Sequence, residues 1–281
     1  MLLAYNTNGF AHHSLPDALD LVAARGYGGV ALTLDVHHLN PFAPDLPYHL
    51  ERTRDQLRRL NLRCVIETGS RFLLDRERKH QPTLVSPRLE ERAVRRRFLE
   101  TSVRIAAALG AECVSFWSGT PTDDAPPSEV MHRLVDECRR VADFAGGQGV
   151  RLAFEPEPGM ALDTMAKYAE LHGRVYHPAF GLTLDVGHLV CQGELPVSDH
   201  IKPWRDWLWN VHIEDMKAGV HDHLMFGEGE VDFADVFVGL RAARYTGLVG
   251  VELSRHSHDA VRTAERSAAF LRGWLEKTAR G

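Results

Sequence analysis

Short apolar runs alternate with longer amphipathic stretches along the whole chain. The runs cover residues 2–7, 29–34, 62–67, 112–116, 150–155 and 180–184, the segment that the tryptophan-rich stretch 204–209 leads into, and 248–252. Runs of this length, bounded by turn residues, predict parallel strands buried on both faces. Between them the spacing predicts helices. Ser14, Leu15, Pro16 and Asp17 cap the first, which turns Leu19, Leu21, Val22 and Ala23 toward a core and closes at Gly26. Further helices are expected over 48–60, 89–109, 128–145, 164–171, 233–245 and 259–277. Eight β-then-α units over residues 1–281, with no linker or break in composition, predict an α/β protein folded as a single (β/α)8 TIM barrel.

A doubly wound sheet is the competing fold. Against it, no G-x-G-x-x-G follows the first strand, and Gly227-Glu228-Gly229 follows no strand directly and lacks the third glycine. The connection 68–87 is long for a compact domain, which predicts a lid or binding loop whose Arg71, Arg76, Arg78, Lys79 and His80 face a substrate.

A 281-residue chain that is 44% hydrophobic can bury one large core, and a formal charge of −5 gives no reason to expect nucleic acid or an anionic membrane as partner. The first residues carry no basic segment, long apolar stretch or cleavage site, and Cys64, Cys113, Cys138 and Cys191 never form C-x-x-C. A cytoplasmic location is expected, with Cys64 and Cys113 as small buried hydrophobes. Nothing in the pattern fixes an oligomeric state.

The chemistry lies where the later strands end. Four apolar runs finish in Glu155, Asp185, His212 and Glu252, and His188 follows Asp185 by three residues. Charged groups are rarely buried unless they are paired or bind a cation. In a barrel all strand ends converge on one face, so two glutamates, an aspartate and a histidine can meet around one divalent ion. Glu157 competes with Glu155, but Pro156 turns the chain out of the strand before it. Glu67 ends the third strand and should face the same site, as a substrate contact or in a salt bridge to a loop arginine.

The sequence elements Phe154-Glu-Pro-Glu-Pro-Gly159, Asp185-Val-Gly-His188, His212-Ile-Glu-Asp215, Phe226-Gly-Glu-Gly-Glu-Val-Asp-Phe233 and the last strand ending in Glu252 follow one another in strand order. In these the whole chain resembles the xylose-isomerase-like TIM-barrel superfamily of sugar-phosphate isomerases and epimerases. The resemblance implies one divalent cation (Mn²⁺, Mg²⁺, Co²⁺ or Zn²⁺) held by Glu155, Asp185, His212 and Glu252, with Glu155 and Glu252 also exchanging protons with a small carbohydrate substrate. It implies a substrate contact for His188. Isomerising or epimerising a keto sugar or polyol requires loss of a proton beside a carbonyl, which a cation and two carboxylates promote. A lyase acting on a keto-inositol or keto-glycoside would use the same enolate; a metal-dependent hydrolase or a non-catalytic sugar-binding protein are further alternatives.

His221 and His223 precede Gly227-Glu228-Gly229, and in the related endonuclease IV branch a similar pair joins the D-x-x-H histidine around an additional zinc. A second ion held by His188, His221 and His223 is therefore an expectation from resemblance. The nuclease site itself is incomplete, because Glu67 and Trp117 stand where that branch supplies histidine ligands. Trp117 is expected to stack on a sugar face, Arg255 to clamp an anion, and Lys217 to reach substrate.

Overall fold

The computed structural model describes residues 1–279, and its eight parallel strands close on themselves in the order β1-β10-β7-β6-β5-β4-β3-β2. These strands are β1 Leu2–Asn6, β2 Gly29–Thr33, β3 Arg63–Glu67, β4 Val114–Phe116, β5 Leu152–Phe154, β6 Phe180–Asp185, β7 Leu208–Ile213 and β10 Leu248–Val251. Between β7 and β10 stands an antiparallel pair outside the barrel, β8 Asp215–Lys217 and β9 Val220–Leu224. The helices are α1 Leu15–Ala24, α2 Leu46–Leu60, α3 Leu89–Leu109, α4 Pro127–Gly147, α5 Met165–Val175, α6 Val186–Gln192, α7 Val197–Ile201, α8 Phe233–Ala242 and α9 Ala260–Ala279. The (β/α)8 barrel expected from the alternation is the fold found.

Strand periodicity explains both the core and the site. Successive side chains point to opposite faces, so residues i and i+2 share a direction. One set faces the helices: Leu3, Tyr5, Val30, Leu32 and Ile66 belong to the large cluster packed under the helical layer. The other set forms a separate cluster of Ala4, Ala31, Val65, Cys113, Ala153 and Leu248. Two residues further along the same strands stand Asn6, Thr33, Glu67, Ser115 and Glu155, all buried and polar. A small-residue layer thus closes the barrel at one end and a polar layer fills the carboxyl-terminal mouth.

The irregular register between β6 and β7 at Leu182/Thr183 shifts the pairing so that Asp185 comes level with His212, and Gly250 on β10 pairs with His212 from the other side. A bulge re-aims side chains in this way. The strand β5 stops at Phe154, one residue short of the expected end, but the Glu155 amide still donates to the Phe116 carbonyl at 2.8 Å. Ser14 caps α1 as expected, through the Asp17 amide at 3.3 Å.

Four elements were not expected: α6, α7, β8 and β9. Asp185 itself caps α6 by accepting from the His188 amide at 2.8 Å, which places His188 inward. The α7 helix fills the passage to β7. The β8–β9 pair turns at Gly219, with φ of +71°, and puts His221 and His223 on one side of a strand. No helix among the described residues is long and apolar enough to cross a membrane.

Candidate active site

His212 is the centre of the polar layer. Its ring is 1% exposed, and its Nδ1 lies 2.8 Å from Glu155 Oε1, 3.0 Å from Glu252 Oε2 and 3.8 Å from Asp185 Oδ2. On the opposite edge of the ring, Nε2 donates to Glu67 Oε1 at 2.9 Å. Asn210 Nδ2 donates to the same oxygen at 3.1 Å. Glu67 is thus not paired with a loop arginine. Its carboxylate fixes the imidazole from behind, the arrangement that orients histidine ligands in metal sites.

Glu155, Asp185, His212 and Glu252 offer ligand atoms that all lie within 4.8 Å of one another. Three carboxyl groups gathered around one imidazole in a buried mouth repel one another, and desolvating each costs several kcal/mol. The strain is visible in their protonation. Burial pushes the Glu155 carboxyl up to about 8, against the pull of His212. Burial also disfavours ionisation of Glu252, but the charge and hydrogen bond of His212, the charge of His223 and a hydrogen bond from Asn8 together hold it well below the usual carboxylate range. Burial opposes the His212 imidazolium, yet Glu67, Glu155 and Glu252 raise it well above its ordinary value. Asp185 Oδ2 is buried with no hydrogen-bond partner. An orphaned carboxylate oxygen aimed at three other ligands, in a mixed set of hard oxygens and one nitrogen, fits a divalent cation.

Beside this cluster His188, His221 and His223 also bring ligand atoms within 4.8 Å of one another. His188 Nδ1 meets the Pro156 carbonyl at 3.0 Å and His223 Nδ1 the Glu252 carbonyl at 3.2 Å. Carbonyls only accept, so both Nδ1 atoms carry the proton. The His188 Nε2 and His221 Nε2 atoms stand 3.1 Å apart.

A cavity of ≈ 380 Å³ opens above both groups, large enough for a monosaccharide-sized ligand. Glu67, Trp117, Glu155, Glu157, His212, His221, His223, Glu252 and Arg255 line it. Arg255 lines the cavity with its guanidinium paired to Asp222 at 2.8 Å. Lys217 is exposed at the end of β8 and does not line the cavity. His188 lies under the cavity rather than on its surface, 4% exposed. Of the loop cations, Arg71, Lys79 and His80 line the cavity, while Arg76 and Arg78 turn to Glu77 and Asp75.

Sequence reasoning missed Asn8, whose Nδ2 donates to Glu252 Oε1 at 2.8 Å, and Arg95, buried beneath the long β3–α3 connection. The signal for Asn8 was a polar residue just past a strand end. Gly227 and Gly229 prove structural. Asp215, 1% exposed, accepts from the amides of Met216 (3.1 Å), Gly227 (2.8 Å) and Val231 (3.1 Å), and a Cβ on Gly229 would strike Asp215 and the Met216 backbone.

The chain is similar to known proteins over most of its length. L-ribulose-5-phosphate 3-epimerase UlaE of Escherichia coli (strain K12) is 25% identical over 242 residues, covering 81% of this chain and 82% of that protein. The 3-dehydroshikimate dehydratase of Pseudomonas putida is 25% identical over 271 residues and 93% of this chain; the chain spans only 39% of that protein's length. Among solved structures, D-allulose 3-epimerase from Methylomonas sp. superposes with a TM-score of 0.79 at 20% identity, covering 98% of each chain. The 3-keto-D-glucoside 4-epimerase YcjR from E. coli gives 0.78 at 17% identity, covering 97% of this chain and 99% of that one. A family model described as xylose isomerase-like TIM barrel matches residues 19–274, and the chain belongs to that family.

Proposed function

We propose that the chain is a divalent-metal-dependent epimerase or isomerase of a keto sugar or related polyol. The observation that carries this is the meeting of Glu155 and Glu252, from strands on either side of β6 and β7, at one nitrogen of His212. Glu155, Asp185, His212 and Glu252 would hold the cation. When bound, it supplies a Lewis acid that polarises a substrate carbonyl and steadies the enediolate oxygens.

The chain's own groups handle the proton. Glu155 and Glu252 reach His212 from two sides of the site, the arrangement of an acid/base pair. Glu252 would take the proton from the carbon beside the carbonyl. Glu155 would return a proton, drawn from solvent or from the substrate hydroxyl, to the opposite face or to the neighbouring oxygen. Return to the opposite face inverts the centre; transfer between neighbouring carbons isomerises. Glu67 keeps the His212 ring in place throughout.

A lyase is the second reading, favoured by the similarity to a dehydratase over 93% of this chain. The same enolate would expel a β-hydroxyl as water instead of being reprotonated. His188, His221 and His223 are three neutral-capable imidazoles and would suit a second, zinc-like ion. No particular ion is singled out for the first site by its mixed donor set.

The test is incubation of the metal-loaded protein in D₂O with ketoses, inososes and keto-glycosides, followed by NMR. Deuterium should enter beside the carbonyl, and Glu155→Gln and Glu252→Gln should each abolish its entry while leaving the fold intact. A retained skeleton marks an epimerase, a moved carbonyl an isomerase and a lost water a lyase. Bound metal with no exchange in any compound would overturn the enolising function.

A further inference from the structure

The β3–α3 connection brings positive charge to the cavity without its counter-charge. Arg71 and Lys79 line the cavity, and among the described residues neither side chain forms an ion pair, whereas Arg76 and Arg78 on the same connection pair with Glu77 (3.7 Å) and Asp75 (2.7 Å). Behind them lies Arg95 of α3, 3% exposed. Its Nε donates to the Pro82 carbonyl (2.9 Å), Nη1 to Ser70 Oγ (2.7 Å) and Nη2 to the His80 carbonyl (2.5 Å). The guanidinium also lies 4.7 Å from the ring centre of Trp117, a cavity residue.

Every one of those acceptors is neutral. Buried cations are ordinarily paired with a carboxylate, because taking a charge out of water is costly. Arg95 instead keeps its charge uncompensated beside an open cavity, where its field adds to those of Arg71 and Lys79. His80 senses the same field: burial first, then the charges of Lys79, Arg95 and Arg71, hold its imidazole at about 4 and so keep it neutral. Arg255, already paired with Asp222, adds little.

One cavity therefore carries two regions of opposite sign. The carboxylates belong with the proposed cation. A neutral sugar would offer the second region only hydroxyl acceptors, whereas a substrate with a terminal anion would place its carbonyl at one region and its charge at the other. We infer that Arg71 and Lys79, backed by Arg95, form an anion subsite, and that the substrate is a keto sugar bearing a phosphate or carboxylate group. The keto-sugar part of this rests on the enolising function proposed above.

The probes are ribulose 5-phosphate against ribulose, and fructuronate against fructose, each pair differing at the terminal carbon. Calorimetric titration of the metal-loaded protein should show at least one charged member binding about tenfold or more tighter than its neutral partner. Arg71→Gln combined with Lys79→Gln should remove most of that preference with the thermal midpoint unchanged. Should the double change lower the midpoint, Lys79→Gln alone, at an exposed position, should still remove part of it. Preference for the ester identifies a phosphate, and preference for the uronate a carboxylate; both support the subsite. Neither charged probe outbinding its neutral partner, or a preference that survives the substitutions, overturns it. Deuterium exchange on the same four compounds separates the two proposals. Exchange into the neutral ketoses with no charge preference keeps enolisation and removes the subsite. Charge-selective binding that depends on Arg71 and Lys79, without exchange, keeps the subsite and removes enolisation.

Discussion

Asn8 and Glu252 are 244 positions apart in sequence, and the amide Nδ2 of the first donates to Oε1 of the second at 2.8 Å. The contact closes the barrel's polar layer where the first strand meets the last. It also fixes one oxygen of Glu252, leaving Oε2 turned to His212 Nδ1 at 3.0 Å. Asn8 is thus a positioning residue for the proposed base. A hydrogen bond to a charged group contributes about 1.5–3 kcal/mol, so Asn8→Ala should lower kcat by about 10- to 100-fold with KM little changed. The bond also favours the ionised carboxylate, so its loss should move the acid limb of the kcat/KM profile to higher pH. A fall in kcat with an unmoved pH profile would make the residue structural only.

Metal uptake should depend steeply on pH. In the metal-free chain His212 is held protonated by its carboxylate neighbours, and the Glu155 carboxyl is raised to about 8. Ligands bind as neutral imidazole and carboxylate, so each proton must leave when the ion enters. Both shifts are upward, and affinity should therefore rise as pH increases toward 8, with release of up to about two protons per ion. Competition with a chelator at pH 6, 7 and 8, and calorimetry in buffers of differing ionisation enthalpy, measure this. An affinity flat across that range would mean that these groups are not the ligands.

Much of the site was legible because a parallel barrel concentrates its chemistry at strand ends. Glu155, Asp185, His212 and Glu252 each close an apolar run, and ionisable groups in that position stand out against Val, Leu and Ala. Asn8 and Arg95 were not legible. An asparagine after a strand is a common turn residue, and an arginine within an arginine-rich helix reads as one more solvated charge until its burial is seen. The β8–β9 pair escaped for another reason: β8 is three residues long and the chain turns at Gly219 before either strand builds a run long enough to read. Lys217 shows the converse, since nearness in sequence to a site residue says little about where a long side chain goes.

Asp215 is expected to matter for stability and loop order, not for chemistry. Its carboxylate gathers three backbone amides from two separate segments. Asp215→Ala would leave those donors unsatisfied around a cavity and should cost about 3 kcal/mol or more. Tm should fall by roughly 6–12 °C, and hydrogen exchange should quicken over residues 215–231. An unchanged Tm would show that water replaces the carboxylate without loss.

The three imidazoles beside the main cluster allow the two proposed ion sites to be tested apart. The Nδ1 protons of His188 and His223 are fixed on backbone carbonyls, and His188 turns its Nε2 to His221. The 3.1 Å separation of His188 Nε2 and His221 Nε2 is close to that of two nitrogens sharing a tetrahedral zinc with bonds of about 2.0–2.1 Å. His221 and His223 stand outside the cluster of Glu155, Asp185, His212 and Glu252, whereas His188 also comes near Glu155 and Asp185. Zinc titrated into the metal-free protein should therefore bind in two steps. His221→Ala combined with His223→Ala should remove the second step and leave about one tightly held equivalent in place, read by metal analysis after dialysis. Loss of all metal in that variant would place the principal ion among the imidazoles. A single step in both proteins would mean that the imidazoles serve the substrate or the loop instead.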